Sequence, residues 1–375
     1  MSCETGIPDW SNVTFATFNQ TLLMFPRLCT ACTCPLTIEG WFLGYMAYFP
    51  SLAGNAVFAA IFGVFLLVQL YFGVRFKTWG FLISMGGGLI LEVLGYVGRI
   101  LMRDNMFTNT YFIMYLVCLT IGPAFLSAAV YLTLSRLVVI YAPDRSRFRP
   151  QVYTYIFIAM DIVALILQAA GGGVASLAAP YSAALKAGVN TMVAGVAWQV
   201  FSLAVFALLS LEFWLRVRKA GEKGLNPAFA DLRAERNFQP TFIVAVFGAG
   251  VFIFVRSVFR CAELSGGFTG PLANEEITFM VLEGTMIVLA SGLLTFFHPG
   301  FVAGTERWAK ASWKAARKPT IEEGVSERSA SSGDADKTPS KTAIEGVSDS
   351  RSGSGIVVEK TADRTEAKTA SEEGA

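Results

Sequence analysis

Ionisable side chains are rare in the apolar stretches of this chain, and where they occur their spacing is helical. Glu92, Tyr96 and Arg99 stand at i, i+4 and i+7, which puts all three on one helical face. Arg256, Arg260 and Glu263 repeat the geometry, Asp161 and Gln168 lie one heptad apart, and Glu276 and Glu283 do the same. Carboxylates so placed can receive a cation or pass a proton, and arginines can receive an anion. Either can also lock two helices together by pairing.

Other chemistries lack their residues. Zinc hydrolases and di-iron hydroxylases of membranes need several histidines. This chain has one, His298 in FFHPG, where it is placed to cap a helix end ahead of Pro299. A lone haem ligand is a lesser reading of it. The last apolar segment has no lysine for a retinal Schiff base, there is no Walker A pattern, and no nucleophile sits with an obvious base. The expectation is a protein that is not an enzyme and holds no cofactor or metal.

These residues need helices that cross a membrane. The chain is 54% hydrophobic and 15% charged, and its charges crowd into loops and the last stretch. Segments long enough to span an apolar layer of about 30 Å are predicted at Tyr48–Val74, Gly80–Met102, Tyr111–Tyr141, Gln151–Ala178, Gly188–Trp214, Pro240–Leu264 and Glu275–Phe297. The fold class is therefore all-α: a seven-transmembrane helix bundle. Residues 1–47 form an N-terminal segment, 48–300 the membrane domain, and 301–375 a juxtamembrane segment and polar tail. That tail is rich in Ser, Thr, Ala, Gly, Glu and Lys and poor in large apolar residues, so it is expected to be disordered.

Basic residues set the orientation. Arg75 and Lys77, Arg145 to Arg149, Arg216 to Arg236, and Arg307 to Lys318 fall on one side, against Arg27, Arg103 and Lys186 on the other. The expectation is an N-terminus outside and a tail in the cytoplasm. The basic residues border membrane ends, so they point to topology and not to nucleic acid. The N-terminal segment carries two N-glycosylation patterns, at Asn12 and Asn19, and the disulfide candidates Cys3, Cys29, Cys32 and Cys34, whose pairing has three solutions. Cys118 and Cys261 fall inside spans as packing residues.

At about 1.5 Å per residue, Glu92, Asp161 and Glu283 fall near mid-membrane, and Arg99, Arg256, Arg260, Glu263, Gln168 and Glu276 in the outer third. This suggests a polar cavity that opens outward, with arginines near its mouth and acids below. Such a cavity suits an amphiphile with a charged head and an apolar tail. Pro123, inside the third span, removes a backbone donor and is a candidate hinge. Arg136, Glu212 and Arg216 are read as interfacial anchors.

The motifs YFPSLAGN from Tyr48, EVLGYVGR from Glu92, IGPAFLSAAVY from Ile121, DIVALILQAAGGG from Asp161, GVAWQ from Gly195, RSVFRCAE from Arg256, GGFTGPLANEE from Gly266 and HPG from His298 occur in order on these spans. Together they resemble the fungal lipid-translocating exporter family of RTA-like proteins, which includes aminocholesterol-resistance and sphingoid-base-resistance members. The seventh span departs from the family's usual Glu, Tyr, Asp: here it runs Glu276, Met280, Glu283. The resemblance implies a multi-pass protein of the plasma membrane, or alternatively an endomembrane, that moves amphipathic lipids such as sphingoid bases and gives resistance to toxic amphiphiles. It also implies haem or porphyrin movement as a branch of the family. The implied partners are membrane lipids and amphipathic small molecules, and oligomeric state is not legible. Proton exchange through Glu92, Asp161 or Glu283 would be a reasonable coupling. A heptahelical sensor that binds lipid without moving it is the competing reading.

Overall fold

A computed structural model describes residues 14, 29, 33–39, 41–42, 44–104, 106–107, 109–143, 146–147, 149–178, 182–221, 224–235, 241–267 and 270–312. Within it run 7 helices long and apolar enough to cross a membrane: Leu52–Arg75, Trp79–Asp104, Asn109–Tyr141, Pro150–Leu177, Ala183–Ala220, Ile243–Ser265 and Glu276–Ala303. They are called here the first to seventh spans. The sequence-based ranges agree to within a few residues except for the end of the seventh, which continues through a short helix to Ala303, and the fifth, a helix of 38 residues and so about 57 Å long. Ser182 caps its start by accepting from the Leu185 amide (3.1 Å). Arg218 and Lys219 then favour its C-terminal turn, so the helix outruns its apolar stretch. Asn12, Asn19, Cys3, Cys32 and the polar tail lie outside the described residues.

The bundle is inverted relative to a water-soluble core. Its largest fully buried side chains are Arg99, Arg256 and Arg260, while Leu67, Tyr71, Ile83, Leu208 and Val244 are two-thirds exposed. Only an apolar surrounding makes that outer surface favourable. The first span shows the rule most plainly. It buries Asn55, Phe62, Gln69 and Gly73, the first three at heptad spacing, and turns the rest of its surface outward. The second span packs closely on the third, and the fourth on the fifth. In the second of these pairs a Cβ on Gly171 would come within 2.6 Å of the Gly188 carbonyl oxygen, so the two backbones touch.

Connecting segments cover both ends of the bundle. At one end, Tyr45, Met46, Ala47, Tyr48 and Pro50 contact the ends of the second, third, sixth and seventh spans. Thr37–Ile38 pairs antiparallel with Trp41–Phe42, a two-residue ribbon in an otherwise helical fold. Cys29 is disulfide-bonded to Cys34. Tyr45 stacks on Phe112 at 4.6 Å, and the Ala47 amide donates to Asn274 Oδ1 at 2.8 Å.

At the other, basic end, the third span's last carbonyls lack helical donors. Asn226 fills this role with its amide to Tyr141 O and its side chain to Val139 O, and Arg233 donates to Ile140 O. Arg136, expected to reach the interface, instead lies over the Trp308 ring (4.3 Å) and donates to the Trp308 carbonyl. The short helix Thr305–Lys310 that carries Trp308 gives the arginine a closer partner than solvent. Glu212 bridges Arg147 and Arg216 at the half-exposed rim, as an anchor would. His298 caps the final turn of the seventh span, its Nδ1 accepting from the Gly300 amide (3.1 Å).

Candidate functional site

The polar residues expected to form two layers sort into three groups. The central group is built around Arg256, which pairs with Glu283 and also donates to the carbonyl of Leu119. That carbonyl is available for a local reason. Pro123 stands four residues later and has no N–H to give it, so Arg256 supplies the missing donor while the helix continues unbroken through the proline. Glu283 sits in a π-helical turn, Met280–Thr285, which shifts the register of the seventh span. Gly284, in the same turn, leaves space for Tyr96: a Cβ there would come within 2.6 Å of the Tyr96 hydroxyl. Tyr96 is stacked on Phe58 and Phe62 at 5.2 and 5.7 Å.

Glu92 completes this group against Gly122, with Arg256 and Glu283 as the charges acting on it. One guanidinium thus stands against two carboxylates, and Glu92 Oε1 has no hydrogen-bond partner. A buried carboxyl without a cation of its own is a place for a proton or for an organic cation.

The second group lies toward the lidded end. Arg99 donates from Nε to Asn55 Oδ1 and from Nη2 to the Tyr48 hydroxyl, each at 2.9 Å, with its guanidinium 4.0 Å from the centre of the Phe279 ring. It forms no ion pair among the described residues. Asn55 donates to Ser51 O, and the Ser51 amide donates to Glu276 Oε1 at 2.6 Å, so Arg99 and Glu276 are joined through the first span's cap. Arg260 pairs with Glu263 one turn along the sixth span at 2.7 Å. The expected outward cavity is closed here. Tyr45 and Met46 cover Arg260 and Glu263, and the space beneath them amounts to about 10 Å³.

The third group stands apart. Asp161 Oδ2 accepts from Ser127 at 2.8 Å, and the buried Tyr131 hydroxyl stands among Asp161, Ser127 and Ser202, close enough to interact with each. Tyr131 and Ser202 belong to the same neighbourhood as Asp161, and Asp161 has no ion pair among the described residues. Ser127 follows Gly122 by five residues, which places Asp161 about 7.5 Å further along the third span than Glu92. Ser127 and Tyr131 also line an apolar cavity of about 100 Å³ between the third, fifth and sixth spans. Gln168, on the same face as Asp161, donates to Gln199 Oε1 at 3.3 Å.

Residues 85–306 match the family described as RTA1 like protein. The chain belongs to the RTA1-like family. It is 30% identical over 282 residues to the Sphingoid long-chain base transporter RSB1 of Saccharomyces cerevisiae, covering 68% of this chain and 74% of that protein. Protoporphyrin uptake protein 1 of Saccharomyces cerevisiae is 26% identical over 214 residues, 56% of this chain and 67% of its own length. The Probable lipid transporter atnI of Emericella nidulans is 22% identical over 262 residues, 68% and 67% respectively. No solved structure matches.

The RTA1-like match takes in Glu92, Tyr96, Arg99, Asp161, Gln168, Arg256, Arg260, Glu263, Glu276 and Glu283, yet two groups that hold Arg99, Tyr48 and Asn55, lie before it. Sequence reasoning passed over Asn55, Tyr131, Gln199 and Ser202. For Asn55 a signal exists in the heptad Asn55, Phe62, Gln69, the only polar stripe of the first span. For Tyr131 and Ser202 there is none, because hydroxyls are common in apolar helices.

Proposed function

We propose that this RTA1-like chain moves amphipathic lipids, sphingoid long-chain bases first among them, across the membrane and so protects against toxic amphiphiles. The observation that carries the reading is a set of buried carboxylates in excess of their basic partners, within a family whose relatives include a named long-chain-base transporter. A sphingoid base brings an ammonium head that such carboxylates attract and an apolar chain at home in the surrounding lipid. Proton exchange at Glu92, Asp161 or Glu283 would return the carboxylates to neutrality once the cation leaves.

The basic end, with Arg147, Arg216, Arg218, Arg233 and Arg307, faces the cytoplasm in this reading, and the disulfide-bonded N-terminal segment faces outward. Asn12 and Asn19 would then be glycosylated, which a mobility shift on enzymatic deglycosylation tests directly. The plasma membrane is the membrane concerned. A porphyrin cargo has the support of one relative's name, but a cavity of about 100 Å³ suits the head of a single-chain lipid better than a macrocycle.

The test is movement of a radiolabelled sphingoid base across liposomes that contain only the purified chain, with and without a proton gradient. Protein-dependent movement supports transport. Binding without movement would overturn it in favour of a lipid sensor.

A further inference from the structure

The turn that joins the first and second spans carries a lysine where the backbone favours glycine. The Thr78 amide donates to the Gly73 carbonyl at 3.0 Å and the Lys77 amide to the Val74 carbonyl at 3.3 Å. This pair of bonds closes the C-terminus of the first span, and the motif puts the residue before Thr78 in the left-handed region. Lys77 stands there at φ 54°, a conformation that glycine adopts freely and that costs a residue with a Cβ. Membrane topology does not account for the lysine. The positive charge that orients a connection can sit at any of its residues, and Arg75 already supplies one. A surface side chain held at such a cost points to a contact of its own.

We propose that Lys77 and Arg75 bind the head of an anionic phospholipid in the leaflet at the basic end of the bundle, with Trp79 and Phe301 against its glycerol and first acyl carbons. Arg75 and Lys77 are exposed, as are Trp79 (57%) and Phe301 (65%). No acidic residue occurs between Glu39 and Glu92 in the sequence, and neither base forms an ion pair among the described residues. Two cations without an acid attract a head of net negative charge. A zwitterionic head carries its own cation and neutralises them less well. Exposed tryptophan beside basic residues at a membrane end is suited to the headgroup layer.

Packing brings Phe301 to the same place. Its ring lies 6.4 Å from that of Phe72, one turn before Phe76, and a Cβ on Gly300 would collide with Phe76. Thr78, next to Lys77, lies 3.4 Å from His298 through Oγ1 and Nε2. The turn is thus fastened to the end of the seventh span, and a lipid that touches Lys77 and Phe301 would bridge the first and seventh spans from outside. What the chain transports does not enter into this site, which lies at the surface and away from the buried carboxylates.

The test uses the full chain purified in detergent, titrated with phosphatidylserine or phosphatidylcholine and read by native mass spectrometry, with the thermal midpoint measured in the same detergent without lipid. The wild-type protein should bind phosphatidylserine more tightly than phosphatidylcholine. Lys77→Gly should weaken phosphatidylserine binding about fivefold, the value of one charge near a lipid surface, and yet raise the lipid-free midpoint by about 2 °C by relieving the backbone. Lys77→Arg keeps both the charge and the strain, so its lipid affinity and its midpoint should both match the wild type. Arg75→Gln should weaken binding about as much as Lys77→Gly without the rise in midpoint. Equal binding of the two lipids by the wild-type protein overturns the proposal, as does undiminished phosphatidylserine binding by Lys77→Gly. A Lys77→Gly protein that melts no higher than the wild type overturns it too, because the lysine would then be held at no cost.

Discussion

Glu283 and Asp161 are both carboxylates in the interior of the bundle, 2% and 4% exposed, yet one faces an arginine and the other faces only hydroxyls. Around Glu283 the fold has supplied a cation: a π-turn presents the acid, a proline frees the Leu119 carbonyl, and Arg256 binds both, while Glu92 Oε1 in the same group stays without a hydrogen bond. Around Asp161 the fold has supplied only hydroxyls, those of Ser127 and Tyr131, and no cation among the described residues. Buried charge therefore does two jobs in one molecule. The Arg256 cluster fastens the third, sixth and seventh spans together, and the Asp161 carboxyl, which faces no arginine, is the one that the proposed transport function would use.

The largest expected effect comes from breaking the Arg256 cluster. Arg256→Leu strands Glu283 and the Leu119 carbonyl and should cost about 3–5 kcal/mol, seen as loss of monodisperse protein and a steep fall in thermal midpoint in detergent. Adding Glu283→Leu should recover part of that loss, because the stranded carboxylate is gone. Overpacking comes next. Gly284→Ala would push a Cβ to 2.6 Å from the Tyr96 hydroxyl and 2.8 Å from Phe58 Cζ, a cost of about 1–3 kcal/mol. The larger change Gly250→Leu, beside the cavity between the third, fifth and sixth spans where the nearest atom to a Cβ is 4.0 Å away, should fall below that in the same thermal assay.

Smaller still is Asp161→Asn, which keeps a side-chain oxygen for Ser127 and should stay within about 1 kcal/mol of wild type while transport is lost. Least of all, Pro123→Ala gives Leu119 its helical donor back and displaces Arg256 from it. One hydrogen bond replaces another, so a thermal shift worth no more than about 1 kcal/mol is expected.

The spans were legible because a helix in lipid must be long and apolar, and the polar stripes because a charge in that setting needs a reason. The fifth span's full length was not legible, since Arg216, Arg218 and Lys219 read equally well as loop or helix end. Depth along single helices placed Arg256 in an outer layer apart from Glu283, yet long side chains and the π-turn bring the two together. Depth also set Asp161 level with Glu92 and Glu283, where the packing of Asp161 against Ser127 separates it. The lid over Arg260 and Glu263 depends on Tyr45 and Met46, residues with no charge pattern to mark them. Pro123 was visible as a candidate hinge, but its gift of a carbonyl to another span required knowing which side chain stood opposite.

The measurement that bears most directly on this account is sphingoid-base flux into liposomes holding only the purified chain, wild type beside Asp161→Asn at equal reconstitution. The account predicts flux through the wild-type protein and little through the variant, with both folded to the same thermal midpoint. Equal flux through the two would contradict it.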